Sequence, residues 1–527
     1  MSRATTHTTL SPEPVVRLLN YFQEPYNLAI ATARTCYSST VISPAEVSKD
    51  EQARTQRDRI AESIYRAGHH TTIQHPTFQF VLERVSRQFI WSFLHAHQFY
   101  NSEQVSQRFV EVKVGHVTIP PLPDDAREIY VRTINEQMVA YHRLMVLVEP
   151  VVAAEYRQLF PSRDVTEKRW AGAIKKRCQE VARYVLPVAT HAHLYHTISG
   201  LTLHRYWRLC QQFDAPLEQR LVVQRMVEEV MRIDPAFMAL ADDPLPLEQT
   251  VEYQGFAQFH GAQRNGTTAR FIDAFDRELG GRCSVLVDAT AHAEATMAQA
   301  VRSMLGLVRE QLDDARAIAL VLDPAKNRYL AEPLTLTTMS KLSRAMVHPH
   351  FTFKKKLSHT ADSQDQRHRM VPASRPILAC QFDPDRPDYL LPPLIAACPE
   401  AEVVYRSTMA QTWEAIRRLL ALGVPEEFAL YLLPNAFPIR FEESGDLLHF
   451  HHKWVQRLCY TAQEEIWNAC REEVEQVEAL FPTIGRFLRA PCAIRAAANA
   501  RPICPEGDRF CGVPVWKLPI EAYQRLI

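Results

Sequence analysis

Glycine is scarce in this chain, with 15 residues among 527, and neither a GxGxxG nor a GxxxxGK motif occurs. These absences exclude the glycine-rich turn of a dinucleotide-binding Rossmann fold and the phosphate loop of P-loop enzymes. Any bound phosphate must therefore be held by side chains or by helix ends.

The chain also lacks an excess of charge, because 60 basic and 60 acidic side chains leave a formal net charge of zero. A general nucleic-acid binder needs an excess of basic residues, so that class is excluded. No apolar run approaches the roughly 18 to 20 residues of a membrane helix, and the first residues have no signal-peptide core. We expect a cytoplasmic protein that binds neither nucleic acid nor membrane.

Eleven cysteines are scattered along the chain, and without secretory features we expect reduced thiols. Cys492, Cys504 and Cys511 lie near the C-terminus, but they lack the paired C-x-x-C spacing of a common zinc knuckle. The histidines of residues 191–196 and 449–452 do not fit the i, i+4 pairing of a helical zinc site. We therefore predict no metal site.

An internal repeat organises the sequence. Residues 180–187 (EVARYVLP) match residues 427–434 (EFALYLLP) at an offset of 247, and the same offset carries Glu218 onto Glu465. We infer two diverged copies of one unit. The predicted domains are residues 1–260 and residues 282–527, the second with a cysteine-containing tail, and residues 253–266 are predicted to link them.

Hydrophobic periodicity predicts the elements of each copy. Apolar residues at i, i+3, i+4 and i+7 predict helices at residues 220–233 and 296–308. Short apolar runs predict strands at residues 78–85 and 317–322, and alternation predicts another at residues 109–114. The predicted fold class is α+β, with a small antiparallel sheet and several helices in each copy.

The densest polar stretch is residues 95–109 (HAHQFYNSEQVSQRF). Imidazoles, hydroxyls, a carboxylate and Arg108 beside aromatic residues suit an anionic ligand that contains a ring, because arginine forks onto phosphate. A solvated loop with a chance cluster of polar residues explains the composition equally well.

The order of several motifs resembles the flavin-dependent thymidylate synthases of the ThyX type. The motifs are ARTCYSS from Ala33, GHHTTIQHPTFQF from Gly68, SR at Ser86, SQRF at Ser106 and EVARYVLP at Glu180. The resemblance implies methylation of dUMP to dTMP with methylenetetrahydrofolate, FAD and NADPH. It also implies a homodimer that imitates the homotetramer of the family.

The resemblance assigns substrate-binding roles. It implies that Ser106 and Arg108 hold the dUMP phosphate with help from Arg183. A further family arginine comes from the partner subunit, lies beside the uracil ring and favours its N3-deprotonated form. In this sequence that catalytic arginine is Arg457, and Cys36 in the first motif is expected to be a small buried packing residue.

Each copy lacks a different part of this set. The offset of 247 places Cys210 where the second copy has Arg457, and Leu430 where the first copy has Arg183. One composite site built from both copies is therefore a hypothesis. The alternative is that both copies have drifted and that Arg457 is a surface salt-bridge residue.

The resemblance also assigns flavin-binding positions: His69, Thr71, His95, His97 and Glu103. The family signature is R-H-R, seven residues and S-x-R, whereas the first copy reads H-A-H, eight residues and S-Q-R. In the second copy we match the triplet to residues 355–357 and S-x-R to residues 365–367. The N-x-R segment of the family is absent at residues 199–201 and 446–448.

Three functions remain open. The first is FAD-dependent synthesis of dTMP at a composite site. The second is a degenerate homologue acting on another pyrimidine, and the third is a non-catalytic nucleotide-binding or scaffold protein.

Overall fold

The computed structural model describes residues 9–95, 99–260, 266–525 and 527. Within them the strands are β1 Val15–Tyr21, β2 Thr77–Ser86, β3 Tyr100–Gln104, β4 His191–Ser199, β5 Ser284–Ala289, β6 His350–Ser358, β7 Ala373–Ser374 and β8 Pro438–Asp446. The first helices are α1 Pro25–Thr35, α2 Glu51–Arg66, α3 Arg87–His95, α4 Asp124–Leu159, α5 Lys168–Ala182, α6 Gly200–Arg208, α7 Pro216–Ile233, α8 Val251–Phe259, α9 Thr267–Leu279 and α10 Ala293–Leu305. The later helices are α11 Asp314–Leu322, α12 His359–Asp365, α13 Leu378–Gln381, α14 Pro393–Ala396, α15 Pro399–Ala421, α16 Glu426–Ala429, α17 Leu447–Arg457, α18 Glu464–Leu480, α19 Pro482–Gly485 and α20 Pro491–Ala497.

The chain forms two compact units that do not follow the order of the repeat. Unit one takes residues 1–136, 187–265 and 414–433, and unit two takes residues 137–186, 266–413 and 434–527. Tyr431 of the second copy's repeated motif thus belongs to unit one, and Tyr184 of the first copy's motif belongs to unit two. Across the described residues, no helix combines the length and apolar character needed to cross a membrane.

Unit one contains an antiparallel sheet with the order β1-β2-β4-β3. Its central strand β2 buries alternate residues, and Phe78, Phe80 and Leu82 are fully covered. Because strand side chains alternate between faces, these residues point to one side, where the apolar core includes Val222 and Met226 of α7. The predicted strand at residues 78–85 is confirmed.

Unit two repeats this architecture with the order β5-β6-β8-β7. Phe351 and Phe353 of β6 are fully covered, and the Phe353 ring lies edge-on to Phe450 of α17 at 5.3 Å between centroids. Two antiparallel sheets of the same strand order, each with helices, confirm the predicted α+β class.

The two sheets differ by one residue in their central strands. The pairing of β2 with β4 shifts between Glu83 and Val85, and Arg84 between them has a positive φ of 56°. No shift interrupts the pairing of β6 with β8. Arg84 is therefore an extra bulge residue, and the offset between the copies changes at this point.

Three local predictions were wrong. Residues 317–322 lie in α11, which begins after Asp313, whose side chain accepts a hydrogen bond from the Arg316 amide at 2.8 Å. Five of these six residues are buried, and such a short apolar run does not distinguish a buried helix from a strand. Residues 109–114 form no strand. Residues 253–259 of the predicted linker are helical as part of α8, whose first turn is capped by Thr250. The helices predicted at residues 220–233 and 296–308 are confirmed as α7 and α10, although α10 ends at Leu305.

A buried glutamate on α7 joins three parts of unit one. The Glu218 carboxylate accepts hydrogen bonds from the Ser86 amide at 2.7 Å, the Ser86 hydroxyl at 2.6 Å and the Tyr431 hydroxyl at 2.5 Å. Ser86 ends β2, and its Oγ also accepts from the Phe89 amide at 2.9 Å in the first turn of α3. Burial raises the pKa of Glu218. We call this cluster the Glu218 clasp.

Unit two contains the equivalent cluster on α18. Glu465 accepts hydrogen bonds from the Ser358 amide, from the Ser358 hydroxyl at 2.6 Å and from the Tyr184 hydroxyl at 2.6 Å. Ser358 ends β6 and caps α12 by accepting from the Ala361 amide at 3.1 Å. We call it the Glu465 clasp. The matched partners identify Ser358 as the counterpart of Ser86.

The first prediction concerns the Glu218 clasp. Tyr431→Phe should lower the free energy of unfolding by about 1–3 kcal/mol, because a buried carboxyl loses a hydrogen-bond donor. The measurement is urea unfolding followed by circular dichroism. The matched control is Tyr195→Phe, which removes a hydroxyl from an exposed tyrosine of β4. Equal midpoints for the two variants would contradict the assigned role of Tyr431.

Candidate functional site

Ser106 and Arg108 lie in the turn that follows β3 in unit one. Gln107 between them is buried, and its amide donates to the Thr190 hydroxyl at 2.9 Å. The Arg108 amide donates to Ser106 Oγ at 3.2 Å, and the Arg108 guanidinium lies 5.4 Å from the centre of the Phe109 ring. Anchoring by the central glutamine leaves Ser106 and Arg108 half-buried on either side of it.

Arg183 lies in unit two, on the 3-10 turn that follows α5. Its Nε donates to the Glu180 carbonyl at 3.1 Å, and its own carbonyl accepts from the Asn435 side chain at 3.0 Å. The guanidinium is thus buried and directed by the backbone of its own helix.

The other first-copy candidates lie on the surface or at its edge. His69, Thr71 and Glu103 are exposed, and His95 at the end of α3 packs edge-on against Trp91 at 4.5 Å between centroids. His97 lies outside the described residues. Cys36 is exposed, so the expectation that it is buried was wrong; it follows the end of α1, beyond the buried face of that helix.

The clasps correct the matching of the two copies. Ser358 is the counterpart of Ser86, an offset of 272, and this offset takes His95 to Arg367. The second copy therefore reads Arg367-His368-Arg369 where the first reads H-A-H. The match of the triplet to residues 355–357 was wrong, because those residues lie inside β6.

The edge strands locate the S-x-R position of the second copy. Glu103 of β3 pairs with Tyr195, and Ser374 of β7 pairs with Glu442, which the offset of 247 relates to Tyr195. Residues 106–108 then correspond to residues 377–379, which read Ile-Leu-Ala. The match of residues 365–367 to S-x-R was also wrong. The second copy has the R-H-R triplet and has lost S-x-R.

The corrected spacing agrees with the family signature. Seven residues separate the R-H-R triplet of the second copy from residues 377–379. The sequence R-H-R at residues 367–369 was visible, but the strand bulge at Arg84 and the longer loop of the first copy concealed its correspondence.

Arg457 contacts the segment that carries this triplet. Its Nε donates to His368 Nε2 at 2.9 Å, and its Nη2 donates to the Gln364 carbonyl at 3.2 Å. Burial, followed by the charges of Arg457 and Lys453, holds the pKa of His368 well below its usual range. A neutral imidazole that accepts at Nε2 carries its proton on Nδ1, so Arg457 fixes the tautomer of His368. At the position of Arg457 the first copy has Cys210, which is fully buried.

A buried ionic cluster lies beneath the triplet in unit two. The Lys355 ammonium lies 3.3 Å from Asp365, 3.0 Å from Glu443 and 2.8 Å from Glu473, and all four side chains are fully covered. Lys453 adds a second ammonium at 2.8 Å from Asp365. We call these five residues the ionic core. Asp365 ends α12, two residues before the triplet, so the ionic core anchors the helix that presents it.

Charge pairing outweighs burial in the ionic core. Burial alone would lower the pKa of Lys355, but Asp365, Glu443 and Glu473 hold it well above its usual value. Burial would likewise raise the pKa of Asp365, but Lys355 and Lys453 hold it well below its usual value. Burial raises the pKa of Glu443 to about 7.

The equivalent positions in unit one are not ionic. The residues there are Leu82, Phe93, His196, Tyr206 and Met226. His196 Nε2 lies 3.2 Å from the Tyr206 hydroxyl, and the Phe93 and Tyr206 rings are 4.4 Å apart. One location in the fold is thus filled by aromatic and apolar packing in one copy and by ion pairs in the other.

Comparison with protein families identifies the chain. Residues 17–236 and 285–483 each match the family described as thymidylate synthase complementing protein. The chain belongs to the thymidylate synthase complementing protein family. The two matched segments each contain one of the four-stranded sheets, and they confirm the predicted resemblance and the duplication.

Several family members are named flavin-dependent thymidylate synthase. The protein from Clostridium tetani is 26% identical over 42% of this chain and 83% of its own length. The one from Nitratidesulfovibrio vulgaris is 28% identical over 44% of this chain and 87% of its own length. The one from Geobacter sulfurreducens is 30% identical over 31% of this chain and 69% of its own length. Among solved structures, the UMP/dUMP methylase PolB from Streptomyces cacaoi, bound with 5-Br dUMP, covers 43% of this chain and 94% of its own at 18% identity, with a TM-score of 0.29.

A flavin is the cofactor that these family names imply, and the R-H-R triplet has suitable chemistry for one. Two guanidiniums flank an imidazole, and guanidiniums form forked hydrogen bonds with phosphate oxygens. Arg367 is exposed, whereas His368 and Arg369 are half-buried. The N-x-R positions lack an arginine in both copies, and Ser199 and Asp446 there are the N-caps of α6 and α17.

The second prediction tests the ionic core. Lys355→Leu introduces the apolar side chain of the first copy but leaves three buried carboxyls short of one cation. The free energy of unfolding should fall by about 3–5 kcal/mol, as when one partner of a buried ion pair is removed. The measurement is the urea midpoint of the full chain. Lys341→Leu at an exposed position is the control, and similar midpoints would contradict the ionic core.

The third prediction tests the contact between Arg457 and His368. Arg457→Gln removes a positive charge beside the imidazole, so the pKa of His368 should rise while burial keeps it below that of a free histidine. NMR titration of isotopically labelled histidine side chains measures this pKa. Arg486→Gln, at an exposed position, should leave it unchanged. An unchanged pKa in Arg457→Gln would show that the two side chains do not interact.

Proposed function

We propose that this protein methylates dUMP to dTMP in an FAD-dependent reaction that uses methylenetetrahydrofolate and NADPH. Membership of the family and the names of its flavin-dependent relatives support this reaction class.

One observation carries the proposal: the two copies have complementary losses. The first copy retains Ser106, Arg108 and Arg183, whose counterparts are Ile377, Ala379 and Leu430. The second copy retains Arg367, Arg369 and Arg457, whose counterparts are His95, His97 and Cys210. If the two copies had drifted independently, the residues lost from one copy would not depend on the residues lost from the other. Together the copies supply each of these six residues once per chain, and only the N-x-R arginine is missing from both.

In the proposed site, Ser106, Arg108 and Arg183 bind the phosphate of dUMP. A serine hydroxyl and two guanidiniums supply several hydrogen-bond donors to a dianion. The buried Gln107 contact fixes the turn, so Ser106 and Arg108 are oriented before a ligand arrives.

Arg457 is the proposed catalytic residue. A guanidinium beside N3 and O2 of uracil stays protonated and stabilises negative charge that develops on the ring. Its contacts with His368 and with the Gln364 carbonyl hold its orientation. It also joins the pyrimidine position to the segment that we propose binds the flavin.

We propose that Arg367, His368 and Arg369 of unit two hold the flavin. In the first copy, His69, Thr71 and Glu103 are the proposed flavin contacts. His95 and His97 are a second possible holder, because they occupy the triplet position of the first copy. When bound, FAD supplies the carbon-transfer and hydride chemistry. The protein residues bind and orient the substrates and stabilise charge. A homodimer would supply the four copies of a family tetramer.

The fourth prediction separates flavin binding from dUMP binding. Arg369→Ala should lose the flavin absorbance of the purified protein. Arg108→Ala and Arg457→Ala should retain flavin but lose the spectral change caused by dUMP, together with dTMP formation measured as tritium release from 5-tritiated dUMP. Losing one well-formed charged contact should weaken dUMP binding at least tenfold, equivalent to about 1.4 kcal/mol.

Two control variants complete the fourth prediction. Arg59→Ala changes an exposed arginine of α2 and should leave flavin, binding and turnover unchanged. His95→Ala distinguishes the two flavin-binding triplets. Loss of flavin in His95→Ala but not in Arg369→Ala would assign the cofactor to the first copy. A wild-type protein that takes up no flavin from added FAD would contradict the proposed reaction.

A further inference from the structure

Unit two contains a cavity that the proposed reaction does not use. Its volume is about 540 Å³, and four cysteines line it: Cys459, Cys492, Cys504 and Cys511. All four are free thiols and half-buried. Four of the eleven cysteines of the chain thus surround one space.

The four thiols reach the cavity from separate segments. Cys459 follows the end of α17, and Cys492 lies in the first turn of α20. Cys504 and Cys511 flank a short 3-10 turn, Gly507–Arg509. Convergence from three segments, with up to 32 intervening residues between successive cysteines, is not the pattern of one local turn. The sequence did not reveal this convergence, because Cys459 lies before the C-terminal tail that contains the other three cysteines.

The tail around the cavity has little regular structure of its own. Beyond α20, the described part of the tail contains only short 3-10 turns, yet Val515, Ile520 and Tyr523 are almost fully buried. Arg495 bridges two loops by donating to the Pro502 carbonyl at 2.9 Å and the Ala331 carbonyl at 3.0 Å. Segments of this kind are commonly stabilised by disulfides or by a metal centre.

We propose that Cys459, Cys492, Cys504 and Cys511 bind an iron–sulfur cluster in this cavity. Four cysteine thiolates are the usual ligand set of such clusters. His451 and His452 also line the cavity. Glu332 and Glu506 are acidic residues of the lining, and Arg495 is its basic residue.

The spacing of the thiols favours a cluster over a single metal ion. Among the described side chains, no three histidine, cysteine, aspartate or glutamate residues are close enough to hold one ion. A tetrahedral zinc ion requires its four sulfurs at about 2.3 Å from one centre. A cluster places several iron atoms and inorganic sulfides between its thiolates, so its ligands stand further apart, and the cavity has room for it.

The cluster would also stabilise the end of α17. Cys459 follows Arg457 by two residues, so ligation at Cys459 would hold the helix end that carries the proposed catalytic arginine. The cluster does not depend on flavin binding or on dUMP, and its presence is measured independently of both.

The fifth prediction is the iron and acid-labile sulfide content of the full chain, purified without oxygen. We expect equal amounts of iron and sulfide, either two or four of each per chain, as in the two cluster types with four cysteine ligands, and an electron paramagnetic resonance signal after reduction. Cys492→Ser and Cys504→Ser should each lower both contents at least tenfold. Chemical analysis of iron and sulfide is not affected by flavin absorbance.

The matched control is Cys398→Ser, which changes a half-buried thiol outside the cavity and retains a donor to the Leu147 carbonyl. It should retain full iron and sulfide. Stoichiometric zinc, disulfides between the four cysteines, or no uptake after reconstitution with ferrous iron and sulfide would each overturn the proposal. If the variants do not fold, Mössbauer spectra of the wild-type protein decide between a cluster and unspecific iron.

Discussion

Two buried glutamates hold together the parts of the fold from which the candidate site is built. Glu218 and Glu465 each accept hydrogen bonds from the serine that ends a central strand and from the tyrosine of a repeated motif. The same serines cap α3 and α12. Because a buried carboxyl is costly without partners, the strand end, the helix start and the motif are fixed together. The triplet position lies at the far end of the capped helix.

The clasps also define the units. Tyr431 comes from the second copy and completes the clasp of unit one, whereas Tyr184 comes from the first copy and completes that of unit two. Each copy therefore needs a motif of the other to satisfy its buried glutamate. This exchange of motifs explains why residues 137–186 of the first copy belong to unit two. Domain bounds inferred from the order of the sequence do not show this.

The two copies fill one equivalent region of their cores with different kinds of side chain. Ion pairs occupy in unit two the positions that Phe93, His196 and Tyr206 occupy in unit one. A buried ion-pair network adds little net stability compared with apolar packing of equal volume, but its geometry is specific. The ionic core includes Asp365 at the end of α12, which precedes Arg367-His368-Arg369 in the sequence. The aromatic cluster includes Phe93 of α3, the helix that ends at the first residue of the degenerate H-A-H. The copy that keeps the charged triplet is thus the copy with the charged support.

The sequence predicted much of the fold because repetition and periodicity are visible directly in the order of its residues. The α+β class, α7, α10 and the strand at residues 78–85 follow from patterns within a few residues of each other, and the duplication follows from two matching segments at an offset of 247. Residues 317–322 were misassigned because a buried apolar run has no period that separates helix from strand. The triplet at residues 367–369 was missed for a different reason. Strand pairing decides which residues of the two copies correspond. The single bulge residue Arg84 changes the offset between the copies in a region where few of their residues are identical.

Correct pairing of the copies changes what their divergence means. If the triplet is matched to residues 355–357, the second copy lacks both R-H-R and S-x-R. That pattern does not distinguish a copy that has lost its function from one that shares a site with the other copy. With the triplet at residues 367–369, each arginine of the R-H-R triplet, of S-x-R and of the Arg183 and Arg457 positions that one copy lacks is present in the other, whereas the N-x-R arginine is absent from both. A site assembled from two copies needs each group once, so either copy tolerates a loss that its counterpart covers. Selection then acts on the pair, and complementary losses are the residue pattern that such selection leaves.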